Sequence, residues 1–374
     1  MRFVKTAISI VTASLLVACE RVPTIPADLD SRIAAINEKY IFADMHAHPS
    51  RFHRENVESI SAEEIEVYRS NYFDLFVANI SSDMAFSGEY VNRDGTEVKK
   101  GQYKPDPGEA FSLSADRLKR LQKTVELGFA VHADIPADVI AARERNEVAV
   151  MPALEGADAL EGNIENLREM HRMGLRLIQL IHFRNNELGH MQTYPYSPGG
   201  LTHFGREVVR EANKLGIIID LAHANNETIM DVLELSEHPA IFSHGGVRAM
   251  TEHDRAVTDE EIQAFASKGG VIGIWPHGKH IETVELMVDY IEHVVKVGGI
   301  DHVGIGSDLR GISAYSEGFD EAANFRAIAA ELINRGHTDE AVGKVMGGNF
   351  FRVWQTVSET VENAPPPRAR SSAG

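Results

Sequence analysis

The feature that most constrains the fold is a repeated alternation of short apolar runs with segments of helical periodicity. Two strand-like stretches, 42–50 and 71–80, come first, and six apolar runs then alternate regularly with helical segments. These six predicted strands are 147–154, 175–183, 216–221, 240–243, 270–275 and 302–307. The helical segments after them are 163–173, 204–215, 227–235, 259–267, 282–297 and 319–335.

Alternation on this scale predicts a parallel sheet, and eight such units in one domain predict an α/β fold of the (β/α)8 TIM-barrel class. An open doubly wound sheet is the alternative. That fold commonly carries a Gly-x-Gly-x-x-Gly turn after its first strand, and none follows the stretch 42–50 here. We therefore expect a barrel over residues 31–356.

Charge narrows the range of partners. The chain has 374 residues with 55 acidic and 37 basic side chains, giving a formal charge of −18. Binding to nucleic acid depends on a basic surface that neutralises phosphates, and this balance does not supply one. We expect no nucleic-acid partner and a small-molecule substrate instead.

The first 18 residues have the pattern of a targeting segment. Arg2 and Lys5 precede a run of small and apolar residues, 7–18, that is too short to span a bilayer. The run ends Leu-Val-Ala-Cys at Cys19, which resembles the lipobox of bacterial lipoproteins. We expect a signal peptide at 1–18 and a lipid anchor on Cys19, with Glu20 after it favouring the periplasmic face of the outer membrane. A secretory signal with an incidental cysteine is the alternative.

Composition predicts irregular structure for the segments on either side of the barrel. Residues 19–30 contain Pro23 and Pro26 and are predicted to be a tether, and residues 357–374 are predicted to be a disordered tail. Cys19 is the only cysteine, so the mature domain has no thiolate to serve as nucleophile or metal ligand.

Metal-type and acid–base side chains recur where the predicted strands end. In a barrel these ends share one face, which is where active sites form. His46 and His48 stand two residues apart, so both point to the same side if the run is a strand. The other such side chains are Glu155, His182, His223, His244 and Asp308.

This set is chemically coherent. Imidazoles and carboxylates suit Zn²⁺ or a similar divalent ion, and Glu155 could bridge two ions. Two ions together activate a water and polarise a carbonyl, which is the chemistry of metal-assisted hydrolysis. A serine hydrolase is disfavoured because the sequence has no Gly-x-Ser-x-Gly turn.

Several stretches resemble the membrane (renal-type) dipeptidase family of zinc peptidases. They are the run from Leu154 to His182, DLAH at 220–223, FSHGG at 242–246, GIGSDLRG at 304–311 and GGNFFRV at 347–353. The resemblance implies a (β/α)8 barrel that hydrolyses dipeptides by a metal-bound hydroxide at a binuclear zinc centre, with a homodimer as a possible assembly.

The resemblance also implies roles. His46 and His48 would bind the first metal, and His223 and His244 the second, with Glu155 between them. His182 would contact the substrate carbonyl and the tetrahedral intermediate, Asp308 would transfer the proton, and Arg255 would bind the dipeptide carboxylate. Arg248 is the competitor for the last role.

One position departs from the family pattern. The first motif is usually His-x-Asp, and here its second residue is His48. A neutral imidazole in place of a carboxylate removes one negative charge from the first metal position. Residues 81–111 and 184–203 are expected to be loops over the active face.

Other residues were given structural or open interpretations. His53, His132 and His171 are expected to be structural or solvent-facing, whereas His277 and His280 could line the pocket. Asp44 and Asp220 lie near candidate ligands in the sequence, so they could orient imidazoles or could cap helices or turns.

Two further functions remain open at this stage. The same metals could serve hydrolysis of another small amide or ester, which His48 and the loop after the second strand motivate. A non-catalytic lipoprotein that only binds peptides is the third hypothesis. The set of Glu155, His182 and Asp308 argues against it, because a pure binder needs no water-activating cluster.

Overall fold

The computed structural model describes residues 25–51, 57–86, 104–193, 196–319 and 324–359. The predicted signal peptide, Cys19, His53 and most of the predicted tail lie outside these ranges, as does the middle of the predicted loop 81–111. Among the described residues, no helix is both long and apolar enough to cross a bilayer.

Eight parallel strands form the barrel, which confirms the predicted fold class. In spatial order they are β1 (Ala43–Ala47), β2 (Leu75–Ser81), β4 (Ala149–Glu155), β5 (Leu177–Gln179), β6 (Ile218–Asp220), β7 (Ile241–Val247), β9 (Val271–Ile274) and β10 (Val303–Ile305). Two short strands, β3 (Val131–His132) and β8 (Ala256–Val257), pair with β4 and β7.

The first and last barrel strands meet just beyond their ends. The backbone N–H of Asp308 donates to the carbonyl of His46 at 2.8 Å, and the N–H of His48 donates to the carbonyl of Leu309 at 2.8 Å. These two bonds join the turn after β10 to the end of β1. They therefore place Asp308 beside the His46–His48 pair.

Twelve α-helices cover the outside of the barrel and the end at which its strands begin. They are α1 (Ala27–Asn37), α2 (Ala62–Ser70), α3 (Glu109–Glu126), α4 (Pro136–Glu144), α5 (Ile164–Arg172), α6 (His203–Leu215), α7 (Asn226–Leu235), α8 (Asp259–Ser267), α9 (Val284–Gly298), α10 (Phe325–Asn334), α11 (Asp339–Gly343) and α12 (Asn349–Glu359), counted over the described ranges. A π-helical turn, Lys344–Gly348, joins the last two. Short 3-10 turns occur at Pro49–Arg51, Asp158–Leu160 and Ile300–His302.

Local sequence explains where many helices begin. Side-chain oxygens of Thr202, Asn225 and Thr258 accept backbone N–H groups of the first turns of α6, α7 and α8. Such caps satisfy N–H groups that have no partner inside the helix. Each cap begins the helix that follows a barrel strand, and the chain there turns back along the outside of the barrel.

The barrel is closed at one end by the last helix. Alternate residues of the strands, among them Met45, Val77 and Met151, pack inward with Phe350 and Trp354 of α12. Both faces of the strands are buried, as expected for a parallel sheet. The opposite end, where the strands finish, is left for polar side chains.

Some boundaries differ from the sequence-based expectation. Helix α1 begins at Ala27, inside the predicted tether, because Pro26 stands at the N-cap, where its missing N–H costs nothing. The spacing of Leu118, Leu121 and Val125 predicts a helix over residues 114–132, whereas α3 spans Glu109–Glu126 and Gly128 follows with a left-handed φ of 74°. Helices α2, α4, α11 and α12 were not anticipated, and α12 continues to Glu359, within the predicted tail.

Candidate metal centre

The structure brings all eight predicted site residues together at the carboxyl ends of the strands. His46, Glu155 and His244 lie within β1, β4 and β7, and the others follow strands directly or lie in the loop after β7. Each is at most 7% exposed. The eight residues are His46, His48, Glu155, His182, His223, His244, Arg255 and Asp308.

The first possible metal position lies between His46, His48 and Glu155. The Nε2 atoms of the two histidines are 3.3 Å apart. The Glu155 oxygens Oε1 and Oε2 lie 3.3 Å from His46 Nε2 and His48 Nε2, respectively. A zinc ion with tetrahedral bonds of about 2.0–2.1 Å has ligand atoms about 3.3 Å apart. The three ligand atoms therefore fit one side of such a coordination sphere.

The second possible position uses the same carboxylate. His223 Nε2 lies 3.2 Å from His244 Nε2 and 3.7 Å from Glu155 Oε1. Glu155, His223 and His244 thus form a second group whose ligand atoms are close enough to share an ion. Glu155 is common to both groups, so it stands where a bridging ligand would stand.

The charges around this carboxylate favour its ionised form. Burial would raise the pKa of Glu155, but His182, His48 and His46 more than offset it and hold the pKa well below its usual value. Ser81 Oγ donates to Glu155 Oε2 at 2.5 Å. The carboxylate is therefore held as an anion in a fixed orientation.

Burial has the opposite effect on the second histidine pair. The pKa values of His223 and His244 lie well below the usual value because the rings are buried and because Arg255 and His46 add positive charge nearby. A neutral imidazole keeps the lone pair that a metal requires. Both rings are therefore in the form in which histidine binds metal.

His182 lies between two carboxylates. Its Nδ1 is 2.7 Å from Asp83 Oδ1, and its Nε2 is 3.3 Å from Glu155 Oε1. Burial would lower the pKa of His182, but Asp83 and Glu155 raise it. The ring is thus placed beside the bridging carboxylate with one nitrogen fixed by Asp83.

Asp83 was missed by sequence reasoning. It stands two residues after β2, in a stretch with no motif, and becomes recognisable only once the next strands bring His182 to it. Its second oxygen accepts the backbone N–H of Phe183 at 3.0 Å. The carboxylate therefore fixes both the side chain and the backbone at the end of the fifth strand.

Asp308 lies beside the first metal position. Its Oδ1 is 3.4 Å from His48 Nε2, and burial raises the pKa of this carboxyl to about 7. Its backbone has a left-handed φ of 48°, which is uncommon for a non-glycine residue. A Cβ on Gly311 would collide with Asp308 Oδ1 and with the ring of His48, so a larger residue there would displace both side chains.

Arg255 reaches the second metal position. Its Nη1 lies 2.6 Å from His223 Nε2, and its Nη2 donates to the carbonyl of His244 at 3.0 Å. The guanidinium lies 5.2 Å above the ring of Trp275, and burial lowers its pKa to about 10. Arg255 Nη1 donates to the lone pair of His223 Nε2 that a second metal would use. Binding of a metal there therefore requires the contact between Arg255 and His223 to lengthen. Arg248, the competitor, instead donates to the carbonyl of Glu252 on the loop.

Two acidic residues left open by the sequence hold backbone groups. Asp44 Oδ1 accepts the N–H groups of Ser307 and His46 at 2.8 and 3.3 Å. Asp220 Oδ1 accepts the N–H groups of Ser243 and Ala222 at 2.9 and 3.0 Å. Neither has a hydrogen bond to an imidazole in the described structure, so the turn-capping interpretation fits better.

Loop residues 184–193 and 196–203 lie against the site, as expected. The N–H of Gln192 donates to the carbonyl of His223 at 2.6 Å, and that of Asn225 donates to the carbonyl of His190 at 3.0 Å. These bonds support His223, whose φ of 69° is left-handed. The loop therefore helps to hold a candidate ligand in a strained backbone conformation.

The other histidines considered in the sequence analysis fall into two groups. His277 and His280 pack with His253 and with Trp275, whose ring lies 5.7 Å from that of His244, so they flank the site. His132 and His171 lie elsewhere: His132 pairs with Asp134 at 3.1 Å, and His171 is buried on α5. These two are therefore structural, as predicted.

Fold and site together define a parallel (β/α)8 barrel with an imidazole–carboxylate cluster at the carboxyl ends of its strands. The family model for membrane dipeptidases (peptidase family M19) matches residues 32–368. The chain therefore belongs to the membrane dipeptidase family, which confirms the resemblance seen in the sequence motifs.

Curated relatives cover the chain in part. It is 34% identical over 218 residues to dipeptidase verJ of Clonostachys rogersoniana, covering 57% of this chain and 56% of the relative. It is 32% identical over 234 residues to an uncharacterized dipeptidase of Schizosaccharomyces pombe, covering 59% of this chain and 56% of the relative. The matched region thus spans little more than half of these relatives.

Solved structures show the same fold. The probable dipeptidase PvdM from Pseudomonas aeruginosa has a TM-score of 0.74 at 20% identity, covering 90% of this chain and 100% of that one. Another is a metallo peptidase from Rhodobacter sphaeroides, which is liganded with a phosphinate mimic of the dipeptide L-Ala-D-Ala. It has a TM-score of 0.73 at 20% identity, covering 85% of this chain and 99% of that one. At this identity the likeness concerns the fold.

Proposed function

We propose that this protein is a metallo-dipeptidase that holds two zinc ions and hydrolyses the peptide bond of dipeptides. The observation that carries the proposal is the position of Glu155, whose two oxygens face the His46–His48 pair and whose Oε1 also faces His223. A carboxylate shared by two histidine pairs is a suitable ligand set for two divalent ions.

The donor set supports zinc. Four imidazoles, which bind metal in their neutral form, and one carboxylate suit a borderline divalent ion such as zinc. Mg²⁺ and Ca²⁺ instead prefer oxygen ligands. Two imidazole nitrogens 3.2–3.3 Å apart would repel through their lone pairs unless a proton or a cation lay between them. When bound, the two ions would lower the pKa of a water between them and polarise the scissile carbonyl.

The chain's own residues would bind and orient the substrate. Arg255 would pair with the dipeptide carboxylate, a task that suits the planar guanidinium. Its burial at 4% exposure would strengthen that ion pair, since little water competes. The family relative that binds a dipeptide mimic supports a dipeptide as the substrate class.

His182 and Asp308 would handle charge and protons. His182 Nε2 lies 3.3 Å from Glu155 Oε1, the oxygen that also faces His46 and His223, so it can donate to the oxyanion that develops on the substrate. Asp308, 3.4 Å from His48, would accept the proton of the attacking water and return it to the leaving amine. Asp83 would keep His182 oriented throughout.

A dipeptide assay tests this proposal. Full-length protein, purified in detergent and loaded with zinc, should release free amino acids from a panel of L,L and L,D dipeptides. Glu155→Gln should abolish release, because one amide oxygen cannot serve two positions. Metal analysis should give two ions per chain. No release across the whole panel by protein that holds two metals would overturn the proposal.

A second candidate is hydrolysis of another small amide or ester at the same site. His48 stands where the family usually has Asp, and this change favours a different substrate or metal preference. Turnover of lactones or N-acyl amino acids, with no turnover of dipeptides, would establish this alternative.

We also propose that the protein is anchored by a lipid on Cys19 at the periplasmic face of the bacterial outer membrane. The basic start, the apolar run and the Leu-Val-Ala-Cys pattern support this. Cys19→Ala should move the protein from the membrane to the soluble fraction and prevent labelling by a palmitate analogue. Labelling that persists in this variant would contradict the anchor.

A homodimer is proposed as the assembly, on the basis of the family resemblance. Sedimentation equilibrium of the detergent-solubilised protein should give twice the mass of the mature, lipid-bearing chain after correction for bound detergent. A mass equal to one chain over the whole concentration range would exclude it.

A further inference from the structure

Ser243 lies between one histidine of each candidate metal position. Its Oγ is 3.2 Å from Nδ1 of His46 and 2.8 Å from Nδ1 of His244. The side chain is fully buried within β7. Neither composition nor motif spacing distinguished this residue from other serines, because His46 is 197 positions away in the chain.

The directions of the four ring nitrogens determine the hydrogen bonds. The Nε2 atoms of His46 and His244 face the ligand groups, at 3.3 Å from Glu155 Oε1 and 3.2 Å from His223 Nε2, respectively. If these nitrogens offer their lone pairs to metal, each neutral ring carries its proton on Nδ1. Both Nδ1–H groups then donate to Ser243 Oγ, whose two lone pairs can accept both.

Asp220 lies on the other side of Ser243. It accepts the backbone N–H of Ser243 at 2.9 Å through Oδ1, whereas its Oδ2 has no hydrogen-bond partner within the described ranges. A hydroxyl that accepts two N–H groups still has its own proton to donate. No hydrogen bond from this hydroxyl to Asp220 occurs in the described structure, but the Asp220 carboxylate lies close to both rings, and its negative charge favours protons on their Nδ1 side.

The backbone of Ser243 is held closely by its neighbours. A Cβ on Gly273 or Gly306 would stand 1.8 or 1.9 Å from the carbonyl oxygen of Ser243. Glycine at these two positions therefore lets the adjacent strands approach the serine backbone. As a result, the hydroxyl has a fixed position between the two rings.

We propose that Ser243 is a positioning residue that orients one ligand histidine of each metal position through a single hydroxyl, so that metal affinity at both positions depends on it. This inference rests on the two-metal site proposed above. Loss of a partner that orients a ligand histidine typically lowers metal affinity about 10- to 100-fold. Because one hydroxyl serves both rings, its loss should weaken both binding steps together.

Zinc titration of the full-length apo protein tests the proposal, with calorimetry and a competing chelator as readouts. Ser243→Ala should weaken both binding steps about 10- to 100-fold relative to the unmodified chain. Ser316→Ala is the matched control, because Ser316 is also buried but donates to the carbonyl of Ile281. It should leave both steps unchanged.

A second pair of variants removes the effect of side-chain size. Ser243→Thr keeps the hydroxyl and Ser243→Val lacks it, although both have the same shape. Thr should bind both metals more tightly than Val by a factor similar to that between Ser and Ala. This comparison holds even if the alanine variant fails to fold, and circular dichroism of each apo protein checks folding.

The outcomes separate this inference from the proposed function. If the unmodified chain binds fewer than two metals, the two-metal proposal itself fails. If it binds two and the variants without the hydroxyl bind them equally well, or lose only one step, the shared role of Ser243 is overturned. A third bound ion would also overturn it, because His46, Asp220 and His244 would then form a cation site around the serine.

Discussion

The Asp83 carboxylate and the His182 imidazole form a buried pair, with Oδ1 of Asp83 2.7 Å from Nδ1 of His182. The second oxygen of Asp83 accepts the N–H of Phe183 at 3.0 Å. Both carboxylate oxygens are thus occupied by donors from the end of one strand. An orienting acceptor of this kind fixes which face of the imidazole meets the substrate.

Asp83→Asn should lower kcat about 10- to 100-fold and change KM little, because an amide has one acceptor oxygen and must present N–H to one of the two donors. Steady-state kinetics with a dipeptide measures both constants. Asp259→Asn is the control, since Asp259 pairs with His293 at 2.7 Å on the protein surface. A rise in KM with unchanged kcat would contradict a role in orienting His182.

Arg255→Met should raise KM for dipeptides about 10- to 100-fold, because hydrogen bonds to charged groups contribute about 1.5–3 kcal/mol. For dipeptide amides, which lack the carboxylate, the same substitution should raise KM much less. Arg248→Met tests the competitor and should leave KM near its original value. If Arg248→Met raises KM and Arg255→Met does not, the assignment of the two arginines is reversed.

His48→Asp should tighten binding at the first metal position, because it adds a negative charge next to the ion and restores the usual family residue. Titration with a competing chelator should show a lower dissociation constant for one of the two metals and little change for the other. An unchanged or weaker affinity would indicate that the imidazole at this position is well matched to the metal.

The stability of the protein should fall as the pH drops from about 6.5 towards 4, in part through His171. Burial, with a smaller effect of Arg176, lowers the pKa of His171 from 6.5 to about 4 in the folded state. The unfolded chain therefore binds a proton in this window that the folded chain does not. Stability contributed by the neutral ring is present above pH 6.5 and is lost towards pH 4.

Urea unfolding of the apo protein at several pH values between 4 and 7.5 measures this effect. His171→Gln should make the free energy of unfolding less dependent on pH in that range, at some cost in packing. Substitution of the exposed His203 is the control for the loss of an imidazole. An equally steep pH dependence in His171→Gln and in the unmodified chain would exclude His171 as a contributor.

Much of the barrel could be predicted because its signal is local. An apolar run such as 270–275 is buried on both faces. Its apolar composition alone predicts this burial, without knowledge of which strands lie beside it. The boundaries were less certain. Helix α4, residues Pro136–Glu144, has a short pattern with few buried residues, Val139 and Ala142, so its periodicity is weak.

The candidate ligands were also visible in the sequence, because they are histidine and carboxylate side chains placed where strands end. Their orienting partners were not. Asp83 is 99 positions from His182, and Ser243 is 197 positions from His46. Serine and aspartate near strand ends are common, and only their distance to a particular ring nitrogen gives them a role.

The sequence by itself determined the order of strands, the position of the site at their carboxyl ends and the family, since apolar periodicity and motif residues are properties of short segments. Only the tertiary structure decided that Glu155 faces both histidine pairs, that Asp83 fixes His182 and that one serine hydroxyl meets two imidazoles. These relationships depend on how barrel closure brings distant strands together, and hydrogen bonds form only within a few tenths of an ångström of their preferred length.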